Sequence, residues 1–223
     1  GLFCVSWCNG YILHRERVLP EQLRLKRADL SGTVPSELGN CWSLEYLDLS
    51  MNPLTGTIPT ELGMLGNLTS LFFFEAQFGP TTIPSEFQML QNLREIGITF
   101  TGLTGSIPIQ FGLLTDLESI DFALNSLSGT IPSQLGDLPR LHSLVLDSNQ
   151  LTGRVPTELG RLTNLEVFTF SQNEFSGAIP SEVCDLTDRT LETFGSPPGG
   201  LCGTAAYGGL DCPCCPGCFE RRA

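Results

Sequence analysis

The chain repeats one pattern of hydrophobic and polar positions about every 24 residues, and residues 141–165 show this pattern most completely. Leu144 and Leu146 lie on one side of a short strand, because side chains alternate along an extended backbone. Farther along, Gly153 and Gly160 permit backbone angles that other residues avoid, and a proline between them prevents a continuing helix. One such coil cannot bury its own leucines, so the pattern predicts a stack of coils.

Seven copies of this pattern follow one another, and we number the coils 1–7 in chain order. Coil 1 is degraded, with Leu23 and Leu25 as its strand leucines, and the others begin at Leu44, Leu68, Leu93, Leu117, Leu141 and Leu165. Every copy carries a proline after an aliphatic residue: Pro35, Pro59, Pro84, Pro108, Pro132, Pro156 and Pro180. The regular register predicts a solenoid of about seven coils.

The motif LxxLxLxxNxLxGxxPxxLG, read from coil 6, resembles the plant-type leucine-rich repeat of receptor-like kinases, receptor-like proteins and polygalacturonase-inhibiting proteins. The resemblance implies an α/β, right-handed solenoid with a parallel β-sheet on its concave side and 3₁₀ turns elsewhere. It predicts an N-terminal cap at residues 1–22, repeats at 23–186 and a cysteine-rich C-terminal cap at 187–223. The cysteine-rich block at 212–219 also resembles the terminator of leucine-rich repeat proteins from diatoms and related stramenopiles.

Nine cysteines are present, and eight of them lie outside the complete repeats, where a solenoid must cover the open ends of its core. We predict disulfide-closed caps and therefore an oxidising compartment. Cys8 can pair with Cys4 or with Cys41, although Cys41 also lies where this family often has a buried, unpaired cysteine. Zinc or an iron–sulfur centre is the less favoured alternative, so no metal and no cofactor are predicted. The predicted disulfide cysteines are Cys4, Cys8, Cys184, Cys202, Cys212, Cys214, Cys215 and Cys218.

The net charge of −12 disfavours nucleic acid as a partner, because a phosphate binder needs clustered Lys and Arg. No apolar run approaches the length of a transmembrane helix. The chain lacks an initiator Met and a signal peptide, so we expect a mature piece, or a fragment of a larger membrane-anchored protein, in an extracellular location. The triplet that begins at Asn67 predicts N-glycosylation there.

An asparagine follows the strand in four coils, at Asn52, Asn125, Asn149 and Asn173. We expect these side chains to bond the backbone of their own and the neighbouring coil. Coil 3 has Ala76 instead, and it also contains one inserted residue and a run of phenylalanines. Such local departures mark function or strain, or else simple drift in a tolerant repeat.

The strand positions between and after the buried leucines should face the concave side. Phenylalanines at 72, 74 and 100 then fall on adjacent coils about 4.8 Å apart, where they should touch and be rimmed by acids. A solvent-facing aromatic patch is typical of a binding surface, although the rings can instead pack among themselves or under the terminal caps. The predicted partner-binding residues are Tyr46, Asp48, Met51, Phe72, Phe74, Glu75, Glu95, Phe100, Asp121, Leu124 and Asp147.

No nucleophile elbow, phosphate loop or metal-ligand helix is present, so we predict no enzyme activity. The sequence favours a secreted or cell-surface recognition module for a protein, peptide or glycan. The alternatives are an inhibitor of an extracellular enzyme and a structural wall, coat or adhesive component. Ice binding is disfavoured, because the hydroxyl column of the return strands is interrupted by Arg154 and Ala178, and because the insertion should shift Thr82.

Overall fold

A computed structural model describes residues 21–187 and 193–195. Most of both predicted caps therefore lies outside the described residues, including every cysteine except Cys41 and Cys184. The repeats, which carry the predicted binding surface, are described almost completely.

The described chain contains fourteen short strands and six 3₁₀ helices, numbered in chain order, and a four-residue α-helix at Ser181–Cys184 between β13 and β14. The strands are β1 Gln22–Arg24, β2 Gly32–Thr33, β3 Tyr46–Asp48, β4 Leu54–Thr55, β5 Ser70–Phe74, β6 Glu95–Thr99, β7 Thr104–Gly105, β8 Ser119–Asp121, β9 Ser126–Gly129, β10 Ser143–Val145, β11 Gln150–Gly153, β12 Val167–Thr169, β13 Glu174–Phe175 and β14 Thr193–Gly195. The 3₁₀ helices are η1 Ser36–Asn40, η2 Thr60–Met64, η3 Ser85–Met89, η4 Ile109–Leu113, η5 Ser133–Asp137 and η6 Thr157–Arg161.

Eight strands form one parallel sheet in the order β1-β3-β5-β6-β8-β10-β12-β14, which confirms the predicted solenoid. Each coil contributes one strand. In coils 1–6 a 3₁₀ helix begins directly after the proline of the repeat, and in coil 7 the α-helix does so; the proline fixes the extended residue before the turn. The eighth strand, β14, lies within the range predicted as the C-terminal cap. The sheet thus continues past the last predicted repeat.

The core runs along the inside of the stack and consists of the repeat leucines with several phenylalanines. Strand positions such as Leu47, Leu71 and Leu144 are fully buried, and so is the middle leucine of most 3₁₀ helices. Each coil therefore buries its apolar side chains only against its neighbours, as expected for a solenoid.

The asparagine after the strand links neighbouring coils, as predicted. The Asn149 Nδ2 donates to the carbonyls of Phe122, Leu146 and Asp147, while its Oδ1 accepts a hydrogen bond from Leu127 N. The same arrangement recurs at Asn52, Asn125 and Asn173. These side chains satisfy buried backbone groups that the turn leaves without strand partners.

The inserted residue of coil 3 interrupts a second set of strands on the return side of the solenoid. Strands β2 and β4 pair in coils 1 and 2, and β7, β9, β11 and β13 pair in coils 4–7. On this side of coil 3 the described chain forms no strand. Isolated backbone contacts join coil 3 to the two groups, such as the bridge between Thr81 and Leu103. The irregular segment of coil 3 is thus a structural break in the return sheet.

Glycines in the 3₁₀ helices allow neighbouring coils to approach closely. A Cβ on Gly136 would lie 2.3 Å from the carbonyl oxygen of Glu158 in the next coil, and a Cβ on Gly160 would lie 2.6 Å from that of Glu182. Gly160 is therefore required for close packing, and not for an unusual backbone angle as predicted, whereas Gly153 does have a positive φ of 79°. Coil 3 carries Gln88 at this position, and η3 and η4 pack less closely than the other neighbouring pairs.

Candidate functional site

The solvent face of the eight-stranded sheet carries three of the predicted aromatic residues in direct contact. The ring centroids of Tyr46 and Phe72 are 5.7 Å apart, and those of Phe72 and Phe74 are 5.5 Å apart. All three side chains are half-buried. We call this set, Tyr46, Phe72 and Phe74, the aromatic platform.

The phenylalanine rings of the platform lie over a glycine of the neighbouring strand. Gly97 of β6 lies opposite Phe72 and supplies no side chain to the sheet face. A Cβ on Gly97 would lie 2.5 Å from Phe74 Cε1 and 3.0 Å from Phe72 Cδ1, so the two rings occupy the space that a side chain would fill. The phenylalanines therefore do pack among themselves, as one alternative predicted, while each keeps part of its surface open to solvent.

Arg24 lies at one end of the platform, against Tyr46. Its guanidinium carbon lies 3.7 Å from the ring centroid of Tyr46, which is a close cation–π contact. Burial raises the pKa of the Tyr46 hydroxyl above its ordinary value, and the negative charge of Asp48 adds to this rise. The platform thus already holds one positively charged side chain from the protein itself.

The predicted acidic rim is only partly accessible. Asp48 does not line the surface as predicted: it is 9% exposed, and its carboxylate accepts a hydrogen bond from Ser50 N. The half-buried Asp147 accepts hydrogen bonds from Thr169 Oγ1 and Ser171 N.

Asp121 and Glu95 are the acids that border the platform. Asp121 lies opposite Gly97 on the next strand, and Glu95 is an exposed residue of the Gly97 strand itself. Asp121 Oδ1 accepts a hydrogen bond from Ala123 N, while burial raises the pKa of the Asp121 carboxyl above its ordinary value.

The other predicted apolar residues lie at the ends of the strands. Phe100 is 62% exposed and Leu124 is 51% exposed, whereas Met51 is half-buried. All three have positive φ values of 55–58°, as does the exposed Glu75, because the turn before the asparagine column takes a left-handed conformation in every coil. Among the described residues Phe100 makes no ring contact with the platform, contrary to the prediction that the three phenylalanines touch.

An apolar stripe on the outer side was not predicted. Met64, Met89 and Leu113 end three successive 3₁₀ helices and are 49–60% exposed; Ile109 and Trp42 are also exposed. The sequence signal was available, because the corresponding position is Asn40 in coil 1 and Asp137 in coil 5. Reading the 3₁₀ columns as well as the strand columns would have found the stripe.

The return side carries a column of exposed hydroxyl residues at Thr33, Thr57, Thr82, Ser106 and Thr130. The insertion does not shift Thr82 out of this column as predicted. A Cβ on the glycine of the following coil would lie 3.0 Å from Thr82 Cγ2, much as it would lie 2.8 Å from Thr130 Cγ2 in the pair of coils 5 and 6. The inserted residue is therefore absorbed before Thr82.

The remaining predicted sites lie at the edges of the solenoid. Asn67 is exposed, and its Nδ2 donates a hydrogen bond to the carbonyl of Trp42. Cys41 and Cys184 are each disulfide-bonded, which excludes a buried, unpaired Cys41. Pairing of the other seven cysteines falls outside the described residues, so the disulfide closure of the caps stays a prediction.

Within residues 21–187 and 193–195, no group of three or more His, Cys, Asp or Glu side chains could hold a metal ion. In the same part of the chain, no helix has the length and apolar character needed to cross a membrane.

The sequence model of the family Leucine Rich Repeat matches residues 43–65, 116–138, 140–162 and 164–186. A comparison with curated protein sequences found no match.

Solved structures of plant leucine-rich repeat ectodomains are similar to this chain. The ectodomain of the receptor kinase GASSHO1/SCHENGEN3 from Arabidopsis thaliana, solved in complex with CASPARIAN STRIP INTEGRITY FACTOR 2, is 36% identical with a TM-score of 0.69; the match covers 74% of this chain and 20% of that one. The Arabidopsis receptor kinase HAESA, in complex with the peptide hormone IDA and the co-receptor SERK1, is 31% identical with a TM-score of 0.71, covering 82% of this chain and 31% of that one.

A plant ice-binding protein is also similar, at 30% identity and a TM-score of 0.54; the match covers 78% of this chain and 63% of that one. The chain spans less than a third of each of the two receptor chains above. The family match, the eight-stranded parallel sheet and these likenesses show that the chain contains leucine-rich repeats and that these repeats are similar to those of plant receptor kinase ectodomains.

Proposed function

We propose that this chain is an extracellular recognition module that binds a peptide or an extended protein segment on the sheet face, across the aromatic platform. The observation that carries the proposal is the half-exposed cluster of Tyr46, Phe72 and Phe74. A soluble protein has little reason to keep such rings on a solvent-facing sheet, and large aromatic side chains dominate binding energy at interfaces.

The similar receptor structures support a peptide or protein ligand over a glycan. Two of them were solved with a named peptide or factor bound. The proposal assigns no catalytic role to this chain, because the sheet face presents rings and separate carboxylates rather than a nucleophile with its base.

The test is a selection of random linear peptides displayed on phage against the immobilised protein. Enriched peptides should bind the wild-type chain and lose most binding to a Phe72→Ala/Phe74→Ala double variant. The matched control is Met64→Ala/Met89→Ala, which removes exposed apolar side chains from the outer face and should leave binding unchanged. Peptides that bind both double variants equally, or that respond only to the control, would refute binding across the platform.

Ice binding is a second candidate, favoured by the column of exposed hydroxyl residues through coils 1–5. The sequence argued against ice binding partly because the insertion should shift Thr82, but Thr82 stays in the column. A plant ice-binding protein is also among the similar structures. Thermal hysteresis and ice recrystallisation assays test it. Activity that disappears in a Thr82→Tyr/Thr130→Tyr variant would support this candidate, whereas no activity in the wild-type chain would exclude it.

A further inference from the structure

The aromatic platform has two ends with different surroundings. At the coil 1 end, the Arg24 guanidinium stacks on Tyr46 at 3.7 Å. At the coil 4 end, the Phe72 and Phe74 rings lie over Gly97, where the sheet offers no further side chain. The platform is thus bounded by a cation at the coil 1 end and by a strand position without a side chain at the coil 4 end.

The coil 4 end is bordered by two carboxylates. Asp121 lies directly opposite Gly97 in the sheet, at the strand separation of about 4.8 Å. Glu95 lies two residues before Gly97, on the same face of the same strand. Both carboxylates therefore lie next to the position that the phenylalanine rings cover.

These carboxylates have no cationic partner within the described residues. The three ion pairs there join Arg94 to Glu118, Arg140 to Asp116 and Arg161 to Asp137, which are other acids. Asp121 is also partly buried, and burial raises its pKa more than the hydrogen bond from Ala123 N lowers it. A positive group placed beside Asp121 would stabilise its charged form.

We propose that the coil 4 end of the platform is a subsite for a lysine or arginine side chain of the bound peptide. The aliphatic stem of that side chain lies over Phe72 and Phe74, and its charged head lies beside Asp121 and Glu95. Aromatic faces attract cations, and long basic side chains cover apolar surface while their heads stay charged. Arg24 on Tyr46 provides an example of the same contact within the chain.

The surroundings favour an organic cation over a metal ion. Glu95 and Asp121 supply only two carboxylates, and the described part of the chain holds no cluster of three metal-ligating side chains. A hard metal ion requires several oxygen ligands and gains nothing from apolar rings. The net charge of −12 also favours a basic segment over an acidic one.

This inference rests on the proposed function, and the same peptide selection tests both separately. Peptides whose binding depends on Phe72 and Phe74 should be enriched in Lys or Arg, and replacing that residue by citrulline or norleucine should weaken binding about tenfold or more. Asp121→Asn keeps an oxygen for the Ala123 N–H and removes only the charge, so it should cause a similar loss. Glu86→Gln, on the outer surface, is the matched control and should change binding less than about twofold.

The outcomes distinguish the two proposals. Peptides that need the platform but carry no basic residue, and that bind Asp121→Asn unchanged, would overturn the cation subsite and leave the proposed function intact. Equal losses in Asp121→Asn and Glu86→Gln would show a general effect of net charge, which also overturns the subsite. Peptides that do not need the platform at all would refute the proposed function itself.

Discussion

Replacing Gly97 by alanine tests whether the phenylalanine rings form a movable surface. The new Cβ would lie 2.5 and 2.6 Å from two ring atoms of Phe74 and 3.0 Å from one of Phe72. These atoms belong to half-buried side chains, so the rings can swing toward solvent.

The expected loss of stability is small. Overpacking a closed core costs about 1–3 kcal/mol, and a partly open site should fall at the low end of that range. Alanine in place of glycine also stabilises extended backbone by about 0.4–1 kcal/mol through the unfolded chain. The net change in the free energy of unfolding should therefore be less than about 1 kcal/mol, while peptide binding across the platform should fall because the rings are displaced.

Gly136→Ala is the matched control. Its Cβ would lie 2.3 Å from the carbonyl oxygen of Glu158 and 2.5 Å from the carbonyl carbon, both of which are backbone of the next coil. No side chain can move aside there, so η5 and η6 must separate, and we expect a cost of about 3 kcal/mol or more.

Thermal unfolding followed by circular dichroism measures the difference. For a domain of this size, 1 kcal/mol shifts the melting temperature by about 2–4 °C. Gly136→Ala should thus melt about 6–12 °C below wild type, and Gly97→Ala within about 4 °C of it. Similar losses in the two variants would show that Phe72 and Phe74 are core side chains, and the platform would then be rejected as a docking surface.

Three further predictions concern the asparagine column, a half-buried acid and a modification. Asn149→Ala should destabilise the fold by about 2–4 kcal/mol, because it leaves the Leu127 N–H without its partner, whereas Asn67→Ala should cost less than about 0.5 kcal/mol; equal losses in urea unfolding would contradict this. Asp121 has a folded-state pKa raised by burial, so its protonated form stabilises the fold below the unfolded value of about 3.9 and this contribution is lost as the pH rises through the folded pKa. Asp121→Asn should therefore raise stability at neutral pH and give no gain below about pH 3.9; a gain that persists in acid would refute the assignment. Secretion from a eukaryotic host should add a glycan at Asn67, seen as a mass that peptide N-glycosidase removes and that Asn67→Gln lacks; an unmodified wild-type mass would contradict it.

The sequence predicted the fold because the repeat is over-determined. The strand leucines follow the period of two that a sheet requires, and the asparagine column supplies the hydrogen bonds that the turn needs. Both features depend on the order of residues within one coil, which a single sequence contains in full.

The binding surface was harder to predict, because the burial of each side chain depends on which residues of the neighbouring coils lie beside it. Asp48 and Asp121 occupy the same column of the repeat, and yet Asp48 is buried while Asp121 is half-exposed. Their neighbours differ, since Phe72 lies opposite Asp48 and Gly97 lies opposite Asp121. A column assigns each residue to a face of the sheet, but it does not say which neighbour covers it.

We call the contact between coils 3 and 4 the joint, and several departures from the repeat occur together there. On its outer side, Gln88 replaces the glycine that allows close approach elsewhere, and η3 and η4 pack less closely. The core at this joint is correspondingly larger, because Phe87 and Phe111 replace the leucine of other 3₁₀ helices and are fully buried. On its inner side, Gly97 removes a side chain, and the platform rings close over the gap. Extra bulk on the outer side and a missing side chain on the inner side thus occur at one joint. We expect changes at Gln88 to alter binding without touching the ligand, because η3 and η4 pack at the same joint as the platform rings.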